Sequence, residues 1–224
     1  MDNLNDSVTI LEETLEAIRL IAAAESAELS DTVNKILEDY LLSYEYSKAL
    51  NYFDVIHSIE KNLTENNFLV IKDSPSDFTI SAKSSLQYIY RPTLKYKFDI
   101  IRDSDRYIGE MQAVVRSNNI DLLKCFSEFT ELWMSLEAKY LRFRDVDRIE
   151  YITDSGLFDR RIYLPAETDS RDAAVNGAAI GEAVGSYIDV FDRLFKFCFN
   201  NPGLTAGDIE AMYQSYLNSG KLTV

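Results

Sequence analysis

Hydrophobic positions along this chain change their period repeatedly, and each change marks an element. Ser7-Val8-Thr9-Ile10 alternates like a short strand. Behind it Leu15, Ile18, Ile21 and Ala22 recur at the spacing of one buried helical face, and Glu12 and Glu13 bring the negative charge that a helix N-terminus prefers. After a break from Ser26 to Leu29, Ser30 stands as an N-cap, and Val33, Ile36, Leu37, Tyr40 and Leu41 form the stripe of a second helix. Tyr52 to Leu63 reads as a third helix facing inward through Phe53, Ile56, Ile59 and Leu63.

The period then shortens. Phe68-Leu69-Val70-Ile71 is a short apolar strand, Asp73 to Asp77 is a turn cluster, and Phe78-Thr79-Ile80-Ser81 alternates. Leu94 to Arg102 and Tyr107 to Arg116 are two more strands, which predicts an antiparallel meander. Ser117-Asn118-Asn119 caps a long helix whose apolar positions run from Leu122 through Phe126, Phe129 and Trp133 to Leu141. A second hairpin turns at Asp154-Ser155-Gly156 and stops at Pro165. An aromatic helix through Tyr187, Phe191, Phe195 and Cys198 ends at Asn201-Pro202-Gly203, and Thr205 caps a final helix. The expected fold is α+β: a helical N-terminal module over residues 1–46, then an antiparallel meander sheet packed with long helices over 51–224.

Composition narrows the function. The 224 residues carry 23 Lys and Arg against 37 Asp and Glu, a net charge of −14, which repels a phosphate backbone unless basic residues are locally concentrated. Cys125 and Cys198 are expected to be buried reduced thiols, because two cysteines without a CxxC spacing do not make a secreted disulfide framework. The acidic start Met1 to Asp6 lacks the features of a secretory signal, and no apolar run is long enough for a membrane span, so the expected location is the cytoplasm.

Residues 5–42, read as alternating strand, helix, short break and polar-capped helix, resemble the ribbon-helix-helix family of DNA-binding proteins. The resemblance implies a homodimer whose paired strands enter the major groove of double-stranded DNA. It makes Asn5, Ser7 and Thr9 base-facing and brings the amides at Asp31 and Thr32 to a phosphate. Two departures bear on the chemistry. Ser26 and Ala27 stand where the family has a glycine between its helices, and residues 1–46 set eleven carboxylates against Arg19 and Lys35 alone, a charge of −9.

The middle sheet is the densest basic stretch. Lys95, Lys97, Arg102 and Arg106, interleaved with Tyr96 and Tyr107, make candidate phosphate contacts, against the alternative of an ordinary solvated sheet face. Gly177, Gly181 and Gly185 align on one side of a helix and permit close packing, either within the chain or across a dimer. His57 is the one histidine, and no motif marks a nucleophile, metal site or cofactor loop, so no enzyme activity, metal or cofactor is expected. Two functions remain. One is a dimeric DNA-binding transcriptional regulator with a C-terminal domain that binds a partner or signal. The other is an acidic protein-interaction module, of inhibitor or immunity type, that binds a basic partner surface.

Overall fold

The computed structural model describes residues 11–25, 27–37, 52–72, 78–86, 92–102, 104, 107–143, 148–163, 177–219 and 224. The chain divides into two compact units, Met1–Ala49 and Leu50–Val224. In the first, α1 spans Glu12–Glu25 and α2 covers residues 29–37. The N-cap of α2 is not Ser30. The Thr32 amide and hydroxyl both donate to the Glu28 carbonyl at 3.0 Å, so the helix starts earlier and Ser30 lies inside its first turn. Ile18 and Ala22 are buried as the helical period requires, whereas Ile21, expected on the same face, is 43% exposed. The strand expected at 7–10, together with Tyr40 and Leu41, lies outside the described residues.

The second unit runs α3 (Tyr52–Glu65), β1 (Leu69–Lys72), β2 (Thr79–Ser85), β3 (Thr93–Ile100), β4 (Tyr107–Val115), α4 (Ile120–Tyr140), β5 (Tyr151–Asp154), β6 (Leu157–Tyr163), α5 (Gly177–Asn200) and α6 (Ala206–Leu217). Its strands form one antiparallel sheet in the order β1-β2-β3-β4-β6-β5, which makes the fold α+β. The second hairpin joins the meander because β6 pairs beside β4 after the chain has passed through α4. Its turn uses Gly156 at φ 74°, where an added Cβ would stand 2.6 Å from the Val115 carbonyl.

Alternation sends Ile80, Ala82, Leu94, Tyr96, Phe98, Met111, Ala113 and Phe158 into the core, where the helices meet them. Phe191 of α5 is the hub. Its ring lies 5.1 Å from those of Phe129 and Trp133 on α4 and of Phe158 on β6, and 6.3 Å from Tyr96 on β3. The inward stripe of α3 is Val55, Ile59 and Leu63, and Phe53, expected inside, is 61% exposed. The glycine row explains this rotation. A Cβ at Gly181 would stand 2.3 Å from the Val55 carbonyl, and one at Gly185 2.7 Å from Asn62 Cβ, so α3 lies directly on the bare side of α5. The row is therefore a packing device within the chain, with Gly177 buried at the head of the same helix.

The helix ends follow local chemistry. Asn119 accepts the Leu122 amide at 2.9 Å to start α4, and Thr205 and Asp208 form a reciprocal capping box on α6. Among the described residues no helix is long and apolar enough to cross a membrane.

Candidate functional site

Two charged surfaces stand out among the described residues. The first is the face of the sheet turned away from α3, α4 and α5. Because side chains alternate, the residues of β3 between its buried positions, Lys95, Lys97 and Asp99, project there. The register sets Lys83 directly opposite Lys95, Ser81 opposite Lys97 and Thr79 opposite Asp99. On the other side of β3, Lys95 faces Val114, Lys97 faces Gln112 and Asp99 faces Glu110. Val114 in turn faces Leu157, and Gln112 faces Asp159.

Most charges on this face are matched. Lys97 Nζ lies 2.6 Å from Asp99 Oδ2, which removes it as an uncommitted phosphate contact. Arg161 reaches Glu110 at 3.3 Å and Glu150 at 2.6 Å. Asp159 accepts the Gln112 side-chain amide at 2.8 Å, and burial, reinforced by Glu110 and Asp99, pushes its carboxyl above the usual range. Arg102 sits with its guanidinium carbon 3.4 Å from the centre of the Phe78 ring and is stacked there. Arg106 lies outside the described residues. Of the expected phosphate contacts in the sheet, Lys95 is the one described with neither an ion pair nor a cation–π partner among the described residues. Lys83, directly opposite it on β2, shares that condition.

The second surface is the N-terminal pair of helices. Glu12, Glu13, Glu16, Glu28 and Asp31 are exposed. Arg19 is held by Glu16 at 2.5 Å and lies 4.0 Å from Glu12. Thr32, expected to offer an amide to phosphate, is 2% exposed with that amide bonded inside the helix, while Asp31 stays in the exposed first turn. Asn5, Ser7 and Thr9 lie outside the described residues. Beside the acids, Leu11 is 77%, Leu20 72% and Leu37 51% exposed.

Two buried polar groups are structural. Asp192 of α5 accepts from Ser84 at 2.8 Å and Tyr96 at 2.9 Å and pairs with Lys196 at 2.7 Å, while Lys196 also donates to Ser84. The proximity of Ser84 and Lys196 has the look of a nucleophile and its base. Lys196 is engaged by the Asp192 carboxylate, which also accepts the Ser84 hydroxyl, so all three side chains belong to one buried network. Burial, followed by Asp192, raises the Tyr96 phenol well above its ordinary value. Periodicity places Asp192 on a helix and leaves its partners on β2 and β3 invisible. The two cysteines are free and half-buried rather than buried, on the wall of one groove between α4 and α5, and burial pushes Cys198 up to about 11, where the thiol is inert at neutral pH. His57 is exposed. Among the described residues no group of three or more His, Cys, Asp or Glu is placed to hold a metal ion.

No family model matches the chain, and no curated protein or solved structure matches it, so its chemistry is read from these surfaces alone.

Proposed function

We propose that the protein is a self-associating, acidic protein-interaction module whose N-terminal helices bind a basic partner surface. The observation that carries this reading is the state of Arg19: the guanidinium of α1 is already engaged by Glu16 and Glu12, while Glu13, Glu28 and Asp31 add three further exposed carboxylates to the unit. A surface of that kind attracts cations and repels a phosphate backbone. Self-association follows from the leucines. Two short helices are too small to hold an independent core, and Leu11, Leu20 and Leu37 are left for a second copy to cover.

A second reading, the ribbon-helix-helix regulator, is favoured by one observation. α1 and α2 follow each other across a short break in the order that the family requires.

Light scattering and duplex selection separate the two. A dimer of about 51 kDa is expected, twice the 25.6 kDa chain, and Leu20→Glu should reduce it to the monomer. With a lysine- and arginine-rich peptide as probe, charge reversal of Glu12, Glu13 and Glu16 should slow association about tenfold and change dissociation little. Selection from a random duplex pool at about 50 mM salt should enrich nothing. Enrichment of one sequence, relaxed by Asn5→Ala or Thr9→Ala, would replace the interaction reading with the DNA-binding one.

A further inference from the structure

We infer that the row of the sheet carrying Lys83 and Lys95 is a second docking surface, opposite in sign to the N-terminal helices, and that its occupant is an acidic peptide segment with apolar side chains beside its carboxylates. Lys83 and Lys95 stand directly opposite each other across β2 and β3. Like charges in that position destabilise a sheet. Their neighbours Lys97, Asp99, Glu110 and Arg161 are all paired on the same face, whereas neither Lys83 nor Lys95 has an ion pair among the described residues. The face thus presents two lysines on adjacent strands, whose backbones run about one strand spacing apart, ~4.8 Å, with no ion-pair partner among the described residues.

Their row supplies the rest of the recognition. It continues into Leu69, 65% exposed, on one side, and into Val114 and Leu157 on the other. An extended segment that alternates acidic and apolar residues satisfies both. A nucleic acid fits less well, because with Lys97 and Arg102 committed the row of Lys83 and Lys95 offers few counterions to release, and its described neighbours Leu69, Val114 and Leu157 are aliphatic and give bases nothing to stack on. The inference is independent of the role given to the N-terminal helices, since none of its residues lie there.

The test uses the full chain and a fluorescein-labelled peptide of alternating Glu and Leu, followed by anisotropy, with a random-sequence duplex as competitor. The wild type should bind the peptide more tightly than the duplex. Lys95→Glu places a carboxylate opposite Lys83, so it should raise the melting temperature while weakening the peptide about tenfold. Lys83→Gln should weaken the peptide and also leave the fold at least as stable. A purely structural role for the lysines predicts that stability and binding fall together. Unchanged peptide affinity in Lys95→Glu, a lower melting temperature in that variant, tighter duplex than peptide binding, or no peptide binding by the wild type would each overturn the inference.

Discussion

Arg160 on β6 and Glu137 on α4 form an ion pair of 3.0 Å in which neither side chain is exposed. Tyr151 donates to the same carboxylate at 2.6 Å, and Arg160 donates to the Val224 backbone oxygen at 2.9 Å. Burial opposes the guanidinium's charge, but Glu137 and the surrounding phenols outweigh it and hold Arg160 above its ordinary value. The pair ties the sheet to the long helix.

Removing one partner strands the other in a dry interior. Arg160→Met or Glu137→Met should each cost about 3–5 kcal/mol in urea unfolding at neutral pH. The double variant, which leaves no buried charge, should recover most of that loss. Equal damage in the single and double variants would mean that shape, and not charge, is what Arg160 contributes.

The capping box of α6 titrates. The Thr205 hydroxyl and amide bond the Asp208 carboxylate and hold its pKa below the ordinary 3.8. A depressed carboxyl stabilises the fold above its unfolded pKa, and that contribution disappears as pH falls through the lower, folded value. Thr205→Ala should therefore destabilise the fold at neutral pH, with a smaller loss in strong acid. Chemical denaturation across the acid range reads the difference.

Asp159 behaves in the opposite sense. Its carboxyl is raised by burial, so ionisation works against the folded state above the folded pKa and ceases to matter once pH falls below 3.8. Asp159→Asn keeps an acceptor for Gln112 and should melt at a higher temperature at pH 7, with the gap closing toward acid. A lower melting temperature at pH 7 would show that the ionised form is the one that the sheet requires.

The glycines of α5 should differ by what stands over them. Gly181→Ala drives a Cβ against the Val55 carbonyl, a backbone atom, and should cost about 1–3 kcal/mol. Gly185→Ala meets the Asn62 side chain, which can rotate, and should cost less. Gly203→Ala has nothing within 4 Å and should be neutral or slightly stabilising. Since α3 covers the row within one chain, none of these changes should alter the molecular mass seen in light scattering.

Local chemistry was legible in the amino-acid sequence wherever neighbouring residues decide the outcome. A cap within Ser117-Asn118-Asn119, which the structure gives to Asn119, and one at Thr205 were readable because a cap bonds an amide three residues on. The α+β class followed from two periods that the chain itself carries, 2 in the strands and 3.6 in the helices. Cross-strand neighbours were not legible. Lys95 and Lys97 look alike in sequence, yet register puts one opposite Lys83 and the other within reach of Asp99. The inward face of α3 was misjudged for a related reason: Phe53 satisfies the helical period, but the bare backbone at Gly181, more than a hundred residues later, selects Val55 instead. The tertiary structure alone brings Glu137 to Arg160 and Asp192 to Ser84, because buried charges are paired through space, and chain order carries no record of which helix face meets which strand.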